Sequence, residues 1–206
     1  MQVCGVDDAG RGSLLGPLVI AGVSISRSKI RKLSTMGIKD SKKLSPVARE
    51  KLYEKIIEFA DDYYVAKINP KTIDKSVQKH LLNNLEAKYM AKVISKLKAN
   101  ISYVDSCDVN PRRFGKEISL LSNKSKVRSY HHADDRFVIV SAASIIAKVS
   151  RDREIKKLRK NHDVGSGYPS DSKTINFVKK YHKDNNEMPK FVRMSWRPVQ
   201  EIVGNN

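Results

Sequence analysis

Carboxylates at three places in this chain are the residues most able to do chemistry. Asp7 and Asp8 adjoin in GVDDAGRGSLLGPL, residues 5 to 18, between an apolar run and a glycine-flanked arginine. Asp105 lies at the end of the apolar run ISYVD, and Asp134 and Asp135 follow two histidines in HHADD. Convergent carboxylates repel one another, and without compensation some stay protonated. Divalent cations remove that conflict. Mg²⁺ takes a few carboxylates together with waters and phosphate oxygens, and two such ions about 3.5–4 Å apart stabilise the attacking and leaving oxygens of a phosphoryl displacement. An acidic pair such as Asp7-Asp8, taken alone, reads equally as a solvated turn or a helix cap. Spacing by itself does not bring Asp105 and Asp134 beside it.

The elements that must position these acids are strands and the helices that follow them. VCGVD (3–7) and LVIAGVSIS (18–26) read as strands joined by a glycine-rich connection. Ser45-Pro46 reads as a cap with proline at the first helical position, leading a helix to Ala60 with Leu52, Ile56, Ile57 and Phe59 on its apolar side. YYVAKI (63–68) is a third strand, residues 80 to 99 a long helix, and ISYVDS (101–106) a short buried strand. A helix near 112–122, a fifth strand at KVRSYH (126–131) and a helix over 139–160 follow. The loop GSGYPSD (165–171) opens a further helix capped by Ser170 or Asp171. Strands first, then strands alternating with helices, predict a mixed α/β sheet. Chemistry in such sheets gathers at strand ends.

Composition points to the partner. The 206 residues carry 40 Lys and Arg against 22 Asp and Glu, a formal charge of +18. Such an excess attracts polyanions over long range and releases counterions from phosphates. A basic body that holds nucleic acid, with acids that hold the metals that cut it, accounts for both signs. The longest uncharged run, residues 13 to 25, is shorter than the roughly 20 residues a membrane helix needs. No basic region precedes an apolar stretch at the N-terminus. With only Cys4 and Cys107 there is no disulfide framework. A cytoplasmic protein with no membrane partner is expected.

The motifs DDAGRGSLLGPLVIAGV, KDSKKLS (39–45), YVDS (103–106), HHADD, VSAASIIAKVSRDR (140–153) and GSGYPSD occur in an order that resembles ribonuclease HII, over nearly the whole chain from Gly5 to about Trp196. SW at 195–196 fits the archaeal branch. The resemblance implies a ribonuclease H-like fold: a mixed five-stranded sheet flanked by helices, in one domain over 1–206, with 165–206 as a helical part over the substrate. It implies endonucleolytic cleavage of RNA paired with DNA, and of single ribonucleotides in duplex DNA, leaving a 5′-phosphate and a 3′-hydroxyl. Two Mg²⁺ or Mn²⁺ ions are the implied cofactors and a monomer the implied state. Residue by residue, Asp7, Asp8, Asp105 and Asp134 fall on the family's metal-binding acids, while Asp135 is one position too late. Gly10, Arg11 and Gly12 match the element that touches the ribonucleotide. Lys42 matches a lysine near the scissile phosphate, although an exposed lysine pair before a helix reads equally well. Tyr168 matches the tyrosine that senses the 2′-hydroxyl.

Departures are few. Asp8 stands where the family has glutamate, and Ser13 and Ser172 where it has prolines. His131 and His132 suit Mg²⁺ poorly as ligands, and Gly10-Arg11-Gly12 lacks the lysine and spacing of a nucleotide loop. Trp196 reads as a core anchor more readily than as a base-stacking ring. The rival function is a catalytically weakened module that holds hybrids without cutting. Docking to a sliding clamp stays open, since the tail VQEIVGNN has a glutamine but no paired aromatics. Asp8 is one methylene shorter than glutamate, about 1.5 Å less reach. Asp8→Glu should therefore change the Mg²⁺/Mn²⁺ preference or the metal concentration at half-maximal cleavage. Superimposable metal titrations of the two proteins would show that the missing reach has no consequence.

Overall fold

The computed structural model describes residues 1–38 and 45–204. Five strands form one sheet: β1 (Gln2–Ala9), β2 (Leu18–Ser26), β3 (Asp62–Ile68), β4 (Ile101–Asp105) and β5 (Val127–Tyr130). Their order is β3-β2-β1-β4-β5, which puts β1 at the centre. The described helices are α1 (Ile30–Ser34), α2 (Pro46–Phe59), α3 (Pro70–Val77), α4 (Leu82–Leu97), α5 (Pro111–Leu121), α6 (Ala133–Arg136), α7 (Val138–Leu158), α8 (Ser172–Asn185) and α9 (Arg197–Gly204). The mixed five-stranded sheet flanked by helices is the fold class the sequence predicts.

Contacts divide the chain into two compact units. The first comprises Met1–Ala9, Ile20–Ala66 and Asn83–Val149, and holds nearly all of the sheet. The central strands are apolar and buried on both faces, as strands covered on both sides must be. β1 and β4 run parallel with Val6 opposite Val104, and β5 runs parallel to β4 with Tyr130 opposite Asp105. The first half of α7 packs on β1 so closely that a side chain at Gly5 would come within 2.2 Å of the Ile139 carbonyl oxygen. A small-residue helix and a glycine in the strand are thus one device.

The second unit comprises Gly10–Val19, Lys67–Leu82 and Ser150–Asn206. Its core is a cluster of Leu14, Leu15, Ile155, Val164, Val178, Val192 and Val199, with Trp196 packed against it. The expected C-terminal part, 165–206, lies wholly in this unit, which also draws in two earlier segments.

Side-chain caps open four of the described helices, α2, α3, α5 and α8. Ser45 accepts from the Ala48 N–H at 3.2 Å, with Pro46 opening α2. Asp171, one of the two expected caps, accepts from the Lys173 N–H at 3.0 Å. The helix expected over 80–99 begins at Leu82, because His80 takes a left-handed conformation (φ 57°) after α3 and leaves Leu81 exposed. α3 itself, opened by Asn69 and Pro70, is absent from the sequence reading, as are α1, α6 and α9. The strand expected over 126–131 stops at Tyr130, so His131 and His132 lie in the turn beyond it.

Asp108, just after β4, is buried and ties three segments of the first unit. It accepts from the Asn110 N–H at 2.8 Å, from Asn83 Nδ2 at 3.0 Å and from Arg113 Nη2 at 2.7 Å. Burial raises its pKa, but these donors outweigh it and hold the carboxyl below the usual range. An acid with a depressed folded value stabilises the fold above the unfolded value of about 3.9, and that contribution disappears as pH falls through the folded value. Asp108→Asn should cost about 1–2 kcal/mol at neutral pH, and the gap to the parent should close once the pH falls below the depressed folded value. Urea denaturation at both pH values checks it; a pH-independent gap would exclude the charge as the cause.

Candidate active site

Asp7 sits near the end of β1 and is 5 % exposed. The register of β1 on β4, carried one residue beyond Val6 and Val104, sets it beside Asp105. Burial first, then the negative charges of Asp8 and Asp105, push the Asp7 carboxyl well above the usual range. A hydrogen bond from the Ser144 side chain and the Asp8 backbone N–H, 2.7 Å from Oδ1, act against that rise. The strand pattern and the parallel pairing thus bring together Asp7, Asp8 and Asp105, all in the first unit.

The segment after β5 positions the fourth acid. His132 turns the chain through a left-handed conformation (φ 52°) into α6. The Ala133 N–H then donates to Asp105 Oδ1 at 2.6 Å, which fixes Asp134 next in the chain to the Asp105 carboxylate. The Ser141 hydroxyl donates to the Asp134 carbonyl oxygen. Phe137 packs against Tyr103 and Tyr130, with ring centroids 4.6 and 5.1 Å apart, and Arg136 lies over the Tyr130 ring at 4.5 Å. Asp134 is half-buried; Asp135, His131 and His132 are exposed.

The side chains of Asp7, Asp8, Asp105 and Asp134 offer carboxylates alone, which would suit a hard cation such as Mg²⁺ or Mn²⁺. Among the described residues no three His, Cys, Asp or Glu side chains form a ready-made metal cage. An ion that draws on few protein carboxylates, with water and substrate oxygens completing its shell, is the kind that fits. The charge on Asp7 supplies the reason to bind it: a buried carboxyl beside two other carboxylates ionises readily only with a cation at hand.

The glycine–arginine element and Tyr168 belong to the second unit. Gly10 is buried, Arg11 half-buried, and Gly12 exposed with open space around its α-carbon. Arg193, fully buried, donates from Nη1 to the Arg11 carbonyl oxygen at 2.9 Å and from Nε to that of Gly16 at 3.1 Å. Its guanidinium also lies 5.0 Å from the centre of the Trp196 ring, so Trp196 serves as an anchor. The loop GSGYPSD is fastened to α8. Asp171 accepts from the Ser166 N–H at 2.6 Å, the Gly167 N–H donates to Thr174 Oγ1 at 2.9 Å, and Thr174 donates to the Val164 carbonyl oxygen at 2.9 Å. Tyr168 is half-buried in this loop. Lys42 and most of KDSKKLS lie outside the described residues.

Three residues of these sites escaped the sequence reading. Ser144 is hidden in the small-residue run VSAAS. Arg151 and Arg193 look like two more of many cations, yet they alone among the described Lys and Arg are buried. Cys4 is also buried, which raises its thiol to about 12, a value that keeps it protonated.

Known proteins resemble this chain in both sequence and fold. The family described as Ribonuclease HII matches residues 4–199. A ribonuclease HII of Cenarchaeum symbiosum is 61% identical over 202 residues, 98% of each chain. The crystal structure of the ribonuclease H2 from Pyrococcus horikoshii superposes with a TM-score of 0.93 at 45% identity, covering 99% of this chain and 98% of that one. The ribonuclease HII of Archaeoglobus fulgidus, solved as a complex with PCNA, superposes with a TM-score of 0.88 at 40% identity over 96% of each chain.

An acid whose folded value lies above its unfolded one costs stability as pH climbs through the interval between them, because the unfolded chain ionises first. In metal-free buffer Asp7→Asn should therefore melt higher than the parent at pH 7, with the difference vanishing below the usual carboxylate range. Added Mg²⁺ or Mn²⁺ should raise the parent's melting temperature and leave that of Asp7→Asn nearly unchanged. Thermal melts with chelator and with metal decide it; an Asp7→Asn protein less stable at every pH would show that the buried carboxylate is well solvated.

Proposed function

We propose that this chain, which belongs to the ribonuclease HII family and is a metal-dependent ribonuclease H acting on RNA–DNA hybrids, cuts on the 5′ side of ribonucleotides, single ones in duplex DNA included. The observation that carries the proposal is Asp7: a buried carboxyl pushed up by burial and by the charges of Asp8 and Asp105, in a chain of net charge +18. A protein that only held nucleic acid would have no use for buried, crowded acids.

Asp7, Asp8, Asp105 and Asp134 would hold two divalent cations, Mg²⁺ or Mn²⁺, which would supply a nucleophilic water at neutral pH and charge neutralisation at the leaving oxygen. Ser144 and the Asp8 N–H keep the Asp7 carboxylate oriented. Ala133, through its N–H, does the same for Asp105. In the hydrolysis a water oxygen bonds to phosphorus as the bond to the preceding nucleotide's 3′-oxygen breaks. The products carry a 5′-phosphate and a 3′-hydroxyl, the latter receiving a proton. The exposed Lys and Arg side chains hold the phosphate backbone. Lys42 is assigned to charge neutralisation near the scissile phosphate.

Selection of the sugar falls to the second unit. Backbone groups of Gly10, Arg11 and Gly12 approach the ribose where side chains are lacking, and the Tyr168 phenol hydrogen-bonds the 2′-hydroxyl, the group that tells RNA from DNA. Among the described residues no helix is long and apolar enough to cross a membrane.

One end-labelled duplex with a single ribonucleotide tests the reading. With Mg²⁺ or Mn²⁺ a single cut should appear immediately 5′ of the ribonucleotide, and chelator should abolish it. Asp7→Asn and Asp105→Asn should each lose at least about 100-fold in rate while still binding the duplex. Tight binding without cleavage by the parent would instead establish the hybrid-holding module.

A further inference from the structure

Arg151, on α7, is 1% exposed, and a guanidinium taken out of water is costly unless its surroundings compensate. Its partners are unusual. Nη2 donates to Ser13 Oγ at 2.7 Å. Nη1 reaches only the partly exposed Asp152, at 3.3 Å, and the buried Nε makes no hydrogen bond to the described residues. The flat face of the cation lies over the Tyr168 ring, 4.3 Å from its centre. Space for the group comes from two glycines with positive φ. A side chain at Gly10 (φ 87°) would come within 3.2 Å of Arg151 Cγ, and one at Gly167 (φ 83°) within 2.7 Å of Nη2.

Ser13 completes the assembly. Its hydroxyl accepts from Arg151 and stands 2.8 Å from the carbonyl oxygens of both Leu15 and Gly167, to one of which it donates. A proline at this position could accept and donate nothing there.

We infer that Arg151 is a positioning residue for ribose selection, setting the plane of the Tyr168 ring by cation–π contact and fixing the chain after Gly10–Gly12 through Ser13. The inference rests on the proposed role of Tyr168. At 1% exposure Arg151 is too deep to meet a duplex, so its effect passes through the residues it holds. A lysine keeps the charge but not the planar face or the fork that reaches Ser13 while covering the ring.

The test compares single-turnover cleavage of two duplexes, one with a single ribonucleotide and one a long RNA–DNA hybrid, and records each variant's melting temperature. Arg151→Lys should lower the ratio of single-ribonucleotide to hybrid cleavage by about tenfold, through kcat more than KM. Ser13→Ala should move the ratio the same way by less, and carries the test if Arg151→Lys does not fold. In a Tyr168→Ala background, Arg151→Lys should leave the ratio where Tyr168→Ala alone put it. Equal losses on both duplexes with a lower melting temperature would make Arg151 a packing residue and overturn the inference. A further fall in the ratio in the Tyr168→Ala background would also overturn it. If instead Tyr168→Ala keeps the parental ratio, the sensor reading itself fails, and the inference with it.

Discussion

A buried carboxyl near the end of a central strand is the constraint around which the first unit is built. Asp7 follows the buried run Val3–Val6, where water is excluded and like charge is close. Parallel pairing of β1 with β4 places the second acid beside it, and the short turn through His132 brings the Asp134 segment to the Asp105 carboxylate. Small residues on α7 let the helix approach β1 and present the Ser144 hydroxyl to Asp7. Burial and like charge at Asp7 oppose ionisation, and carboxyls perturbed in this way cluster at functional sites.

Few charged side chains are buried, and they are of both signs. The described lysines and arginines lie at least partly in solvent, apart from Arg151 and Arg193, while Asp7, Glu86 and Asp108 are the buried acids. The two inner guanidiniums act alike in the second unit. Each spans backbone carbonyl or hydroxyl oxygens of the segment Arg11–Gly16 and lies over one aromatic ring, Tyr168 or Trp196. A planar cation with several donors suits that task, because it can stack and hydrogen-bond together. A buried apolar side chain of equal size would pack there without fixing the direction of either ring.

Strands and their acidic ends were legible because they rest on local pattern. Apolar runs of five to nine residues, closed by Asp7-Asp8 or Asp105, read directly as buried strands with polar termini. The caps Ser45 and Asp171 were legible for the same reason. What escaped the sequence depends on contacts far apart in the chain. Arg151 is one cation in a charged helix end until Ser13, 138 residues away, is seen against it. The start of α4 turned on the left-handed His80, a conformation that residue type alone does not announce. α3 was missed although Asn69-Pro70 is a normal cap and first-turn pair, since its apolar residues are too few to show a period. The ordered motifs of the resemblance single out Asp134 over Asp135 and add Tyr168, where spacing alone leaves open whether Asp105 and Asp134 lie beside Asp7.

The second unit is assembled from three distant stretches of chain, and its last stretch locks the first. Leu15 bridges to Val192, Arg193 grips the backbone of Arg11 and Gly16, and the Asp74 carboxylate takes the N–H groups of Met194 and Ser195 at 3.1 and 3.0 Å. Loops of well over a hundred residues must close before these bonds form, an entropic delay that slows folding. During synthesis the strands bearing Asp7 and Asp105 can pair once β4 has emerged. The segment Arg11–Gly16 is fastened only once Val192 and Arg193 have followed. A ribosome-bound chain therefore acquires its acids well before the part assigned to choosing the sugar.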